Sequence, residues 1–214
     1  EISAVYDLAL SKAAPSADLI LATDPDGDRF GSMARDSSGK FKLLTGNQQS
    51  VLICHYLLEQ KRAEGQLQGR IYSTNVSTHL LRRLAEAYGV KFEETLTGFK
   101  YIGEKVESLS GQGDERLIFA MEESNGCMAG DFLRDKDAAI GALLISQVAL
   151  ECTIQKKTLW DRLEGIYRQW GYYLAKTISL PMSGAEGYRR QQVILDNLRK
   201  NWRQCLTALN AVSI

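Results

Sequence analysis

The chain has 214 residues, enough for one or two domains with a real core. Its 26 basic side chains balance its 26 acidic ones, so no global field draws it to nucleic acid or an anionic membrane. No apolar run approaches the roughly 20 residues needed to span a bilayer, and Cys54, Cys127, Cys152 and Cys205 form no C-x-x-C pair, which points away from a zinc site or a disulfide framework and toward a reducing, cytoplasmic setting.

In chain order, residues 3–13 read as a short helix ending near Pro15, and "EISAVYDLAL" resembles the middle of a helix rather than a signal peptide. On that reading the sequence is expected to be a piece of a longer protein. "DLILAT" (18–23) is a continuous apolar run, as in a strand covered on both faces. "GKFKLLT" (39–45) is a second strand. "GNQQSVLICHYLLEQ" (46–60) places Val51, Cys54, Leu57 and Leu58 at helical spacing. A strand at 70–74 precedes a helix over 77–89, with Ser77 or Thr78 as its N-cap and Gly89 as its terminator. A strand at 90–97, a helix from about Tyr101 to Leu109 and a strand at 116–121 follow.

Residues 137–150 form a helix apolar nearly all round, and so expected to be buried. Thr158 opens another helix, with Asp161 in capping-box position. From Gly171 the chain reads as extended, then Ser183 and Glu186 form a second capping box before a helix ending near Trp202. Strands alternating with helices predict an α/β fold with a largely parallel sheet.

The densest acidic spot is "TDPDGDRFG" (23–31), where Asp24, Asp26 and Asp28 alternate with Pro25 and Gly27. Three like charges this close repel, and a cation offsets that cost. An EF-hand loop needs glycine and glutamate where Arg29 and Arg35 stand, so that reading fails. A phosphatase with a nucleophilic aspartate after a strand, and a plain solvated acidic turn, both remain open on local grounds. Three carboxylates on one hard cation suit Mg²⁺, which takes its remaining ligands from phosphate or water.

"TDPDGDRFG" resembles the metal loop of the α-D-phosphohexomutases, the phosphoglucomutase and phosphomannomutase superfamily. "ETLTGFKYIG" (94–103) is similar to that family's third-domain loop near the sugar. "FAMEESNGCMAGDFLRDKDAAIGALL" (119–144) is similar to its sugar-recognition loop and the basic segment after it. The likeness covers about residues 4–185, and it implies a three-layer α/β/α domain with a mixed, largely parallel sheet.

The resemblance implies transfer of a phosphoryl group between C1 and C6 of a hexose phosphate through a phosphoserine and a bisphosphate intermediate. Asp24, Asp26 and Asp28 would hold Mg²⁺, and Arg29 would stand beside the phosphate. Glu122 and Ser124 would bond sugar hydroxyls in either orientation of the sugar, from a loop open to substrate. Lys136 would serve as a general acid or base or as a phosphate contact, with Arg134 beside it, and Thr97 and Gly98 would approach the sugar. Asn125 stands where the family often has an aromatic residue or histidine.

The implied partners are glucose or mannose 1- or 6-phosphate and hexose 1,6-bisphosphate, with no nucleic acid and no membrane. The family's T-A-S-H-N-P-type and R-x-S-G-T-type segments have no counterpart here. The implied layout is therefore the end of domain 2 over residues 1–38, domain 3 over 39–171 and a lead-in to domain 4 over 172–214. Domains 1 and 4 of the same chain would then be missing partners, and the chain alone would be inactive. The alternative is a stand-alone sugar-phosphate or metal-binding module without catalysis.

Overall fold

A computed structural model of the chain describes residues 2–12, 16–109, 116–130, 132–175 and 180–208. Pro15, residues 176–179 of the predicted extended tail and the side chain of Cys205 lie outside the described residues. Glu1–Ala175 form one compact unit and Lys176–Ile214 a second.

In the first unit, α1 (Ile2–Lys12) leads into three strands: β1 (Leu19–Thr23), β2 (Phe30–Arg35) and β3 (Phe41–Leu44). They pair antiparallel in the order β1-β2-β3, with Thr23 opposite Phe30. This corrects the expectation for residues 18–23. The connection over residues 24–29 is far too short for the crossover that a parallel neighbour requires, so β1 turns straight back as a hairpin. Burial along β1 alternates, with Ile20 and Ala22 buried and Leu21 exposed. Ile20, Ala22 and Met33 pack with Ala9 of α1 and with Phe41.

The second sheet has the order β5-β4-β6-β7, formed by β4 (Arg70–Thr74), β5 (Lys91–Thr95), β6 (Leu117–Met121) and β7 (Cys127–Met128). β4 is parallel to both β5 and β6, while β7 folds back antiparallel on β6. The fold is thus α/β with a mixed, mostly parallel main sheet, as the alternation of elements predicts, and a separate antiparallel sheet beside it. A register shift at Arg70/Ile71 pairs Arg70 with Leu117 and Ile71 with Phe119. That bulge turns Ile118 and Phe119 into the same core cluster.

One face of the main sheet carries α2 (Gly46–Ala63), α3 (Leu80–Tyr88), α5 (Ala138–Ile154) and α6 (Leu159–Trp170), which share the large core with Ile71, Phe119 and Met121. The other face carries α4 (Phe99–Ser108), whose Phe99, Ile102 and Val106 pack on Tyr72 and Ala120. The three layers follow from this alternation along β4 and β6.

Helix ends account for most boundaries. Thr45 and Gln48 form a capping box on α2, and Thr158 and Asp161 form one on α6. Gly89 ends α3 in the left-handed conformation that glycine adopts freely (φ 71°). Of the two predicted N-caps of α3, Thr78 accepts through Oγ1 from the Leu80 N–H (3.3 Å), one residue ahead of His79, where the helix boundary falls without a side-chain cap, while the Ser77 hydroxyl is engaged elsewhere. α5 is not buried all round either. Leu144, Ile145 and Val148 face the core, but Leu143 and Ile154 are exposed and Leu150 is 62% exposed, because neighbours pack against one side only.

The second unit holds α7 (Gly184–Ala208), which follows Ser183 and breaks helical geometry at Asn201, next to the predicted end at Trp202. Among the described residues no single helix is long and apolar enough to cross a membrane. Cys54, Cys127 and Cys152 are buried free thiols.

Candidate functional site

The aspartate loop is the tip of the β1–β2 hairpin. Asp24 N–H donates to Arg29 O (3.2 Å), which extends the ladder, and Gly27 N–H donates to Asp24 O (3.1 Å), which closes the turn. Asp24 Oδ1 accepts from the backbone N–H of Asp28 (3.3 Å) and of Arg29 (3.2 Å). Asp26 is exposed. Asp28 reaches the other way, with Oδ2 at 3.0 Å from Lys136 Nζ. Among the described residues no three acidic, histidine or cysteine side chains converge on a point that could hold an ion.

Two observations nevertheless fit a hard cation. All three donors are carboxylates on one short loop. Asp28 Oδ1 is also buried without a hydrogen-bond partner, which for an anionic oxygen is a costly state. Arg29 Nε lies 3.9 Å from that oxygen and 4.0 Å from Asp24 Oδ2, with its side chain 47% exposed.

The second loop, residues 122–126, joins β6 to β7. Glu122 N–H donates to Gly126 O (2.8 Å), so the loop closes as a tight turn. Glu122 is only 5% exposed, and its Oε1 accepts from the Gly98 N–H at the start of α4 (3.0 Å). The expectation of a carboxylate on an open loop is corrected: the turn folds Glu122 inward, onto the end of α4. The same bond brings Gly98 to Glu122, while Thr97 beside it is exposed.

Glu123 Oε2 accepts from the hydroxyls of Thr74 (3.0 Å) and Ser77 (3.1 Å), and its N–H donates to Ser77 Oγ (3.2 Å). Ser124 is half-buried between these anchors. Asn125 has φ 71° and accepts through Oδ1 from Gln49 Nε2 (3.0 Å).

The backbone joins the two loops. Arg29 and Gly126 form an antiparallel β-bridge, and Phe30 N–H donates to Asn125 O (3.2 Å). A third segment completes the surface. Ala138 N–H donates to Gly27 O (3.1 Å), and Asp137 N–H to Cys127 O (2.9 Å), which sets Lys136 between the loops.

The Lys136 side chain is 12% exposed and crosses Gly126 so closely that a Cβ there would sit 2.1 Å from Lys136 Cδ. Its Nζ lies 5.4 Å from the Phe99 ring centre and 3.5 Å from Asp135 Oδ1. Burial works against the ammonium, but the Asp28 hydrogen bond and the charges of Asp135, Asp28 and Glu122 outweigh it and hold the Lys136 pKa above its ordinary value. For Asp28, burial raises the carboxyl pKa, yet Lys136, Asp24 and Arg29 together hold it below the usual range.

Arg134 does not reach this cluster. It is exposed and paired with Glu107 of α4. Sequence reasoning assigned none of Gln49, Thr74 and Ser77 to the site. A glutamine in the first turn of a helix, ahead of its apolar stripe, is the signal that Gln49 offered.

Comparisons with known proteins bear on the family and the fold. Residues 45–170 match the family described as phosphoglucomutase/phosphomannomutase, alpha/beta/alpha domain III. A phosphoglucomutase of Staphylococcus aureus strain N315 is 36% identical over 211 residues, which is 98% of this chain and 37% of that protein. The chain therefore spans well under half the length of the curated relatives it matches. Among solved structures, a phosphoglucomutase/phosphomannomutase family protein of Burkholderia thailandensis aligns with a TM-score of 0.59 at 17% identity, over 85% of this chain and 34% of that one. The open form of a phosphoglucomutase, parafusin, from Paramecium aligns with a TM-score of 0.54 at 22% identity, over 78% of this chain and 28% of that one. At those identities the structural matches speak to the fold alone.

Proposed function

The chain belongs to the phosphoglucomutase/phosphomannomutase family, and from that premise we propose that it supplies the metal-binding and sugar-binding loops of a phosphohexomutase. On this reading the whole enzyme interconverts hexose 1-phosphate and hexose 6-phosphate, of glucose or mannose, through a phosphoserine and a bisphosphate intermediate. Residues 1–38 would be the end of its second domain, 39–171 the third and 172–214 the lead-in to the fourth. The observation that carries the reading is the pairing of Arg29 with Gly126, which makes the two loops one continuous surface.

Asp24, Asp26 and Asp28 would hold Mg²⁺, which when bound draws charge from a transferring phosphoryl group. Glu122 keeps Oε2 for a sugar hydroxyl after Oε1 has accepted from Gly98, since a carboxylate accepts more than one hydrogen bond. Ser124 offers a neighbouring hydroxyl. Vicinal sugar hydroxyls present the same pair of groups after the sugar turns end for end, so these two side chains serve both orientations. Lys136 and Arg29 present fixed positive charge toward a phosphate, the electrostatic help such a transfer most needs.

Calorimetric titration of the 214-residue chain with glucose 1,6-bisphosphate in Mg²⁺ tests the proposal. Binding that weakens about tenfold or more in Glu122→Gln and Ser124→Ala supports it, at about 1.4 kcal/mol per decade. Equal affinity in both variants would place the sugar elsewhere.

A further inference from the structure

We propose that Gln49 is a positioning residue that holds the sugar-binding loop in register with the aspartate loop, acting through Asn125. Gln49 lies in the first turn of α2 and is 1% exposed, so it meets no solute itself. Its Oε1 accepts from the Ser32 hydroxyl (2.6 Å). Its Nε2 donates to Phe30 O (3.4 Å) and to Asn125 Oδ1 (3.0 Å). One amide thus grips β2, which continues the aspartate loop, and also the middle of the loop that carries Glu122 and Ser124.

Only a primary amide has both an acceptor and two donors for this set of partners. Asn125 in turn sits at φ 71°, a conformation asparagine tolerates far better than most residues, and its carbonyl accepts from Phe30 N–H. The bridge of Arg29 to Gly126 lies next to that bond. Removing the Gln49 amide leaves the Ser32 and Asn125 side chains without their buried partner, and the link between the loop and β2 then rests on the backbone contacts of Phe30 with Asn125 and of Arg29 with Gly126. A misplacement of about 1 Å between groups that act on one substrate can cost on the order of a hundredfold in rate. The inference rests on the preceding section only for what the loops bind.

Amide hydrogen exchange by NMR on the 214-residue chain, without ligand, tests it independently of any sugar or metal binding. The Phe30 and Glu122 amides are expected to be protected in the parent chain. In Gln49→Ala and in Asn125→Gly they should exchange at least tenfold faster, while Ile71 and other amides of β4 change by less than about twofold. Asn125→Gly keeps the left-handed backbone accessible, so it carries little risk of misfolding. The double variant should be no faster than the faster single one, because both break the same contact. Unprotected amides in the parent, unchanged rates in the variants, a rise shared by every protected amide, or effects that simply add would each overturn the proposal.

Discussion

Lys136 Nζ sits 3.0 Å from Asp28 Oδ2, and its aliphatic stem takes the space that a side chain at residue 126 would need. The ion pair and the glycine are therefore one feature. Gly126→Ala forces the stem aside and should cost about 1–3 kcal/mol in urea unfolding, the usual range for overpacking. With Lys136→Ala in the same chain the obstruction is gone. The double variant should then be clearly less destabilised than the sum of the two single ones. Strict additivity would mean that the two residues do not share that space.

Glu122 and Glu123 are both structural supports of the loop that carries them. Glu122→Ala leaves the Gly98 N–H without its acceptor, and Glu123→Ala strips the Thr74 and Ser77 hydroxyls of theirs. Each should lower stability by about 1–3 kcal/mol, read as a shift of the urea midpoint. A Glu122 carboxylate on an open loop would not touch the fold, and its burial reverses that expectation. Only Glu122→Ala should also weaken sugar-phosphate binding beyond what its stability loss explains.

Acid should destabilise the protein through His55. Burial is the main cause that holds its pKa down, to about 4 from an ordinary 6.5, with the Arg162 charge adding to it. The folded state therefore disfavours the imidazolium. Its contribution is fully present above pH 6.5 and is lost as pH falls toward 4, by at most about 3 kcal/mol. The stability difference between pH 7 and pH 4.5 should be smaller in His55→Gln than in the parent. Parallel curves would assign the acid sensitivity to other groups.

The elements read from sequence are those whose local signals agree with their surroundings. The strand at 70–74 matches the structure residue for residue, and the Thr158–Asp161 box opens α6 as its spacing implies. β2 escaped notice because Gly31, Ser32 and Arg35 dilute its apolar pattern. Ser32 belongs in the core only because Gln49 meets it there. β7 is two residues long and exists by pairing with β6. The Thr45–Gln48 box was legible and went unread.

Among the site residues, the motifs give their identities and their order along the chain. What joins them is long-range: Arg29 to Gly126, Asp28 to Lys136, Gln49 to Asn125. No local pattern encodes those contacts. The inward turn of Glu122 and the diversion of Arg134 to Glu107 come from the same tertiary packing.

The central claim is that the β1–β2 hairpin tip is a divalent-cation site. Mn²⁺ titration followed by water-proton relaxation measures it most directly, on the 214-residue chain and on Asp26→Ala. Asp26 is exposed, so its replacement leaves the core untouched. The account predicts one weak Mn²⁺ site in the parent chain and none in Asp26→Ala. Equal Mn²⁺ binding by the two chains, or no binding by the parent, would contradict it.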